Sequence, residues 1–374
     1  MKTPDAIPAS NSARDHAPAR LIVDLAALAE NYATLQRLTP SAETGAVVKA
    51  DAYGLDAARI TRTLAGAGCR SFFTATPAEG AAVRAALGST DAAIFVLNGY
   101  WPHAAALYRE AGLTPVLNAL EELSAYAQAG GGPCGLHIDT GLNRLGLSET
   151  DVAGLMPGEG MLAGCTLALV MSHLACADEP ASAMNARQLA RFIAASARFG
   201  DVPRSLANTG GVLLGPDYHF DLTRPGIGLY GVNPATETPA PFTPVLHVDA
   251  PLLQVRAVRA GDTVGYGARW QAQRPSTIAI AAMGYADGLM RAARQGGYAR
   301  LGGQPVPIVG AVSMDLTALD ITGHEELASQ LGRVQFYGAD LGPVAGAAGT
   351  IGYELLTRLG GRLERAYPEE KLTQ

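Results

Sequence analysis

Between residues 44 and 223 the chain alternates short apolar runs with longer amphipathic stretches. The runs Thr44–Val48, Ser71–Thr76, Ala93–Leu97, Thr114–Leu117, Gly135–Asp139, Leu167–Ser172, Arg204–Ala207 and His219–Thr223 have the length of strands buried on both faces. Helices are predicted between them at Asp56–Ala67, Pro77–Leu87, Trp101–Ala111, Ala119–Ala129 and Ala181–Phe199. A short strand, Leu21–Val23, and a helix, Ala26–Leu38, precede the series. A doubly wound sheet gives similar alternation. The count of eight strands favours a (β/α)8 barrel.

The pattern changes after Val232. Pro234–Pro244 holds four prolines in eleven residues and reads as a linker. Beyond it come strand-like runs at Leu252–Val258, Thr277–Ala282, Val306–Val309, Leu316–Asp320 and Arg333–Phe336, with few helices, mainly near Tyr353–Leu359. The expected organisation is a flexible tail (residues 1–19), a barrel (20–239) and a mostly β C-terminal domain (240–374). The strand near 20–24 is a candidate to pair with the last of these. The fold class is thus α/β, a barrel followed by a β-rich domain.

Composition narrows the function. Hydrophobic residues make up 48% and charged residues 17%, which is globular. A net charge of -6 with no basic block argues against nucleic acid as the main partner. The longest apolar run, Met161–Met171, is too short for a membrane span. No apolar signal region opens the chain, so export is not expected. Cys69, Cys134, Cys165 and Cys176 are scattered without a CxxC pair, which fits reduced structural thiols and the cytosol. No His/Cys spacing suggests a metal.

Of 28 basic residues only Lys2, Lys49 and Lys371 are lysines, and two of these lie near the termini. Lysine can lose its proton and form an imine, whereas arginine cannot. Lys49 follows Val47-Val48 at the end of the first barrel strand, where barrel enzymes place catalytic groups. A lysine with a depressed pKa there is a nucleophile suited to an aldehyde cofactor such as pyridoxal phosphate. The alternative is a surface lysine surviving an arginine bias. Arg144, in Asp139-Thr140-Gly141-Leu142-Asn143-Arg144, can hold a carboxylate or phenolate, or simply be solvated. His173 ends the sixth strand and is either functional or a hydrogen-bonded structural histidine. The loops Asn208-Thr209-Gly210-Gly211 and Thr223-Arg224-Pro225-Gly226-Ile227-Gly228 follow strands seven and eight, where barrels bind phosphate. Glycine-rich turns with no ligand are the competing reading.

Taken in order, Val-Val-Lys-Ala-Asp-Ala-Tyr-Gly (47–54), Asp-Thr-Gly-x-x-Arg-Leu-Gly (139–146), Ser-His-Leu (172–174), Arg-Pro-Gly-Ile-x-Leu-Tyr-Gly (224–231), Val-Gly-Tyr-Gly (264–267), Gly-Tyr-Ala-Asp-Gly (284–288), Ser-Met-Asp (313–315) and Gly-Tyr-Glu-Leu-Leu-Thr (352–357) resemble the alanine racemase family from about Arg20 to Tyr367. The resemblance implies a pyridoxal phosphate barrel, a β domain and a head-to-tail homodimer with shared sites. It implies Lys49 as the imine lysine and one catalytic base, and Tyr266 as the opposing base from the partner subunit. It implies Arg224 at the pyridine nitrogen, His173 on the cofactor ring, and Tyr53, Thr209, Gly226, Ile227 and Tyr353 at the phosphate. Arg144 and Met314 resemble substrate-carboxylate contacts, and Tyr285 and Tyr353 residues narrowing the entrance.

Departures from the family pattern are Leu55-Asp56 after Tyr53-Gly54, His137 where many members carry a carbamylated lysine, Thr209 for serine, Ser205 for a histidine, and Ala311 and Ser313 for an arginine and a cysteine. His137 is a candidate to hydrogen-bond Arg144, and Arg224 is expected to lose an orienting partner at Ser205. The implied function is interconversion of L- and D-alanine, supplying D-alanine for peptidoglycan in the cytoplasm. Alternatives are a racemase of serine or a basic amino acid, a barrel decarboxylase using pyridoxal phosphate, or a non-catalytic protein that binds it.

Overall fold

The computed structural model describes residues 19–234, 241–338 and 341–368. Most of the expected tail, the middle of the expected linker, Lys2 and Lys371 lie outside the described residues. The described residues divide into two compact units, one within 27–243 and one made of 19–26 together with those from Pro244 onward.

The first unit is the (β/α)8 barrel. Seven strands pair in parallel and in chain order: Ala46–Val47, Ser71–Thr74, Ala93–Val96, Thr114–Leu117, Gly132–His137, Cys165–Met171 and Arg204–Ser205. The eighth, Leu222–Thr223, pairs in parallel with Glu43–Thr44. Gly45 and Val47 then donate to Thr223 and Pro225 carbonyls (both 2.9 Å), so residues 43–47 act as one strand joining both ends of the series. On its other side Asp221 N–H donates to Arg204 O (3.0 Å), which closes the ring. The paired residues of these strands are mostly buried, as parallel barrel strands require. Phe73 and Phe95 stack at 4.9 Å between ring centroids.

The predicted helices form close to their expected bounds, at Leu25–Leu38, Ala57–Gly66, Pro77–Leu87, Leu120–Gln128 and Ala183–Ser196, the second, fourth and fifth with trimmed ends. Pro77–Leu87 starts at a capping box, with proline at its first position and Thr76 and Glu79 exchanging bonds with each other's backbone N–H. The stretch Trp101–Ala111 divides into a 3-10 turn, Pro102–Ala104, and a helix, Ala105–Glu110.

The second unit is mostly β. Its spine is a 13-residue strand, Leu246–Val258. Up to Pro251 this strand pairs with Arg20–Val23 and Arg333–Tyr337; after it, with Ser276–Ala281. Proline has no N–H for a ladder, so it sits where the strand changes partners. Thr317–Asp320, Gln304–Val309 and Tyr298–Leu301 complete a sheet whose pairings return to the spine. Arg20–Val23 also pairs in parallel with Glu364–Ala366. Two helices were not expected, Glu325–Leu331 and Gly342–Ala347; the predicted last one spans Gly352–Thr357. No helix among the described residues is long and apolar enough to cross a membrane.

Candidate active site

Lys49 stands two residues past the end of strand Ala46–Val47. The strand end is fixed there: Val48 N–H donates to Phe73 O, and Tyr230 hydroxyl donates to Val47 O, both at 2.9 Å. The chain then turns the wrong way for L-residues. Ala50, Asp51, Ala52 and Tyr53 all have φ between 51 and 59°, a left-handed turn costing about 1–2 kcal/mol per residue. It is tied down by specific bonds. Ala50 N–H donates to Glu79 Oε1 (3.0 Å), Ala52 N–H to Val48 O (2.9 Å), and Ala57 N–H to Asp51 Oδ1 (2.8 Å). The turn ends with Tyr53 packed on Tyr230, ring centroids 4.7 Å apart.

Tyr53 meets the loop after the last strand. A Cβ added to Gly226 would lie 2.4 Å from the Tyr53 hydroxyl, so only glycine permits this approach. Thr209 hydroxyl accepts from Gly226 and Gly228 N–H at 3.1 and 3.2 Å, joining the loops after strands seven and eight. Ile227 is 1% exposed, yet its N–H finds no acceptor among the described residues, and neither does that of buried Gly210. Buried N–H groups are almost always paired. Two such donors beside two hydroxyls form a cradle for an oxyanion, which fits the phosphate of the expected cofactor.

Arg224 is 3% exposed and its bonds hold it to the sixth and seventh strands. It donates to Ser172 O (2.6 Å), Ser205 Oγ (2.5 Å) and Leu206 O (3.4 Å), and contacts His173 Nδ1 at 3.5 Å. Ser205, where a loss of orientation was expected, is therefore one of its anchors. The Arg224 Nε–H stays unbonded among the described residues. Burial pushes this guanidinium down to about 9, still cationic at neutral pH.

Burial together with Arg224 holds His173 well below its ordinary value, hence neutral. His137 is likewise pushed down to about 4 by burial, with Arg224 next in effect. Its Nδ1 bonds Asn118 Oδ1 at 2.8 Å. The anticipated bond from His137 to Arg144 does not form: His137 is buried against Asn118, and Arg144 is exposed with no hydrogen bond among the described residues. Burial also holds the Lys49 amine below its ordinary value, helped by the positive charge of Arg144 and opposed by Glu79.

Tyr266, Tyr285, Met314 and Tyr353 belong to the β-rich unit. Tyr266 is 75% exposed in the turn that joins Thr263–Val264 to its antiparallel partner Trp270–Gln271. Tyr285 and Met314 lie on adjoining segments, with Tyr285 N–H on Ser313 O and Ala286 N–H on Met314 O, both 3.0 Å. A Cβ on Gly284 would lie 2.3 Å from Met314 O, so this contact also needs glycine. Both side chains are exposed. Tyr353 is half-buried on helix Gly352–Thr357.

Several supporting residues escaped the sequence reading. Gln188, fully buried, donates to Thr140 Oγ1 (3.1 Å) and His173 O (2.9 Å) and accepts from Ala175 N–H (2.8 Å). Ser172 Oγ lies 2.8 Å from Thr140 Oγ1. Asp139 accepts the N–H groups of Gly141, Leu142 and Asn143, shaping the turn before Arg144. Only the sharp Asp-Thr-Gly turn signalled any of these in the sequence. Among the described residues no group of three or more His, Cys, Asp or Glu could hold a metal ion.

This is a barrel whose strand ends gather one amine, a buried cationic guanidinium and an oxyanion cradle. Two family models match the chain: the N-terminal domain of alanine racemase over residues 23–234, and its C-terminal domain over 245–367. The alanine racemase of Cereibacter sphaeroides (strain ATCC 17025) is 47% identical over 358 residues, covering 94% of this chain and 98% of the relative. That of Rhizobium meliloti is 43% identical over 385 residues, covering 98% and 99%. Among solved structures, the alanine racemase of Bartonella henselae with covalently bound pyridoxal phosphate superposes with a TM-score of 0.86 at 35% identity, covering 94% of this chain and all of that one. The biosynthetic alanine racemase of Pseudomonas aeruginosa gives 0.85 at 34%, with the same coverage. The chain belongs to the alanine racemase family.

Proposed function

We propose that this chain interconverts L- and D-alanine with pyridoxal phosphate, using Lys49 and Tyr266 as opposed bases. Family membership supports the reaction and the cofactor. The observation that supports the assignment to residues is the half-buried Lys49, the one lysine among the described residues, set just past a strand end of the barrel in which Arg224 is anchored and the Ile227 N–H is unpaired.

Pyridoxal phosphate supplies the electron sink that makes an amino acid's α-proton removable. Lys49 Nζ would hold it covalently, and Arg224 would face its ring nitrogen with the free Nε–H. A permanent cation there disfavours a proton on the ring nitrogen and so restrains transamination. Tyr53 and Thr209 hydroxyls, the Gly226–Ile227 backbone and Tyr353 would hold the phosphate, and neutral His173 would pack on the ring. Arg144 and Met314 would orient the substrate carboxylate, with Tyr285 and Tyr353 narrowing the entrance.

Inversion needs a base on one face of the α-carbon and an acid on the other. Lys49 serves one face, and burial, by lowering its pKa, favours the free amine that a base requires. Tyr266 serves the other from a second copy of the chain; its exposure in its own unit supports that role. The protein is accordingly a homodimer with shared sites, acting in the cytoplasm to supply D-alanine for peptidoglycan.

The test is formation of D-alanine from L-alanine by the purified protein with pyridoxal phosphate, read by chiral chromatography, with L-serine and L-arginine as competing substrates. D-Alanine as the dominant product, absent with Lys49→Ala, supports the reading. A folded, cofactor-loaded protein that makes none, or inverts serine or arginine faster, rejects the substrate.

A further inference from the structure

We propose that Glu79 is the positioning residue of Lys49: its carboxylate fastens the left-handed turn beside the lysine to the next strand–helix junction and gives the ammonium an opposing charge. The inference rests on the reading of Lys49 as the cofactor lysine. Glu79 Oε1 accepts Ala50 N–H (3.0 Å), the residue directly after Lys49. Oε2 accepts Ala75 N–H (2.7 Å) and Thr76 N–H (3.3 Å). Both oxygens therefore face donors, and an amide in this place would set its NH2 against an N–H.

A second glutamate shows that this is a repeated device of the barrel. Glu122, near the start of helix Leu120–Gln128, accepts Asn118 N–H (2.9 Å), and its carboxylate lies against Gly99 in the preceding junction, where an added Cβ would collide with it. Glu79 differs in what it holds, since the preceding junction here is a run of four left-handed non-glycine residues next to the reactive amine. Without the carboxylate, Ala50 N–H loses its only acceptor among the described residues.

The groups acting on Lys49 are Glu79 from helix Pro77–Leu87, Arg144 from the loop after strand Gly132–His137, and His173 from the end of strand Cys165–Met171. Asp51, on its own turn, is engaged by Ala57 N–H. Of these only Glu79 favours the charged amine.

The scarcity of lysine gives a clean readout. Trace acetylation of the full-length chain, stripped of cofactor, across pH and quantified by peptide mass follows Lys49 separately from Lys2 and Lys371. Glu79→Gln is expected to lower the Lys49 midpoint by about half a pH unit, roughly a threefold change in free amine at fixed pH. It should also slow covalent capture of pyridoxal phosphate by about tenfold at a pH where the amine is fully free, because the turn is misplaced. Thr76→Ala, which weakens the helix cap but leaves the carboxylate, should move neither value. Glu79→Asp keeps the charge but shortens the reach; it should leave the midpoint and slow capture, and it carries the test if Glu79→Gln does not fold. An unchanged midpoint and capture rate in folded Glu79→Gln, or unchanged capture in Glu79→Asp, would reduce Glu79 to a helix cap. Acetylation does not depend on racemisation, so a wild-type protein making no D-alanine would fail the proposed function and leave this test standing.

Discussion

The barrel unit and the β-rich unit present their candidate site residues in opposite ways. Arg224 is buried and anchored through Ser172, Ser205 and Leu206, and Lys49 is flanked by a braced turn. Tyr266, Tyr285 and Met314 instead project from their unit, exposed by 75%, 44% and 53%. Large apolar side chains left exposed together commonly mark a surface that another body covers. The difference teaches that the barrel prepares its groups internally, whereas the second set has backbone support but no cover within its own unit.

Substitutions can break or sharpen that contrast. Lys49→Ala removes the amine from the prepared side and should reduce kcat by about ten-thousand-fold or more, read by D-alanine formation. Tyr266→Phe removes a hydroxyl from the exposed side and should cost about a hundredfold or more. Mixing the two inactive chains should restore partial activity if each site draws on two copies. No recovery, with mixed dimers shown to form, would rule out sharing. Arg224→Glu reverses the charge on the prepared side and should raise the share of transamination, measured as pyruvate per D-alanine. An unchanged ratio would remove the role given to that cation.

Acid should weaken the barrel side. His137 has a folded pKa near 4 against 6.5 unperturbed, because burial disfavours its charged form. Below pH 6.5 the unfolded chain takes up this proton while the folded chain does not, so stability is lost as pH falls from 6.5 to 4. The loss attributable to this ring is at most about 3 kcal/mol. His137→Gln should flatten that part of a denaturation-versus-pH profile, and an equally steep profile would contradict the assignment. The smallest effect is expected on the exposed side. Arg362 bonds buried Asp287, which in turn caps the turn carrying Tyr285 through Gly284 N–H. Arg362→Ala should lower Tm only modestly, since ion pairs of an exposed side chain are screened by solvent.

The sequence pattern carried the barrel because most of its parallel strands contain short apolar runs. It faltered where composition and geometry part. Gly132-Pro133 opens a strand without looking like one, and His247, Asp249 and Pro251 concealed the first half of Leu246–Val258. The Asp249 carboxylate is accommodated there by Arg20 and Arg333 from neighbouring strands, a tertiary pairing that no local pattern announces. In the site, Lys49 stood out by rarity and Arg224, Thr209 and Gly226 by their glycine-rich loops. Glu79, Gln188 and Asn118 did not, because their partners are backbone groups at other strand–helix junctions or, for Asn118, a ring on the neighbouring strand. Such contacts leave no spacing to read.

The most direct test of two opposed bases is isotopic. L-Alanine is converted in deuterium oxide, and product and recovered substrate are analysed by mass at low conversion. Two bases, one of them reaching solvent, predict D-alanine carrying solvent deuterium while recovered L-alanine remains largely protiated. D-Alanine that retains the substrate's own α-proton would mean a single base serving both faces and would contradict the pairing of Lys49 with Tyr266.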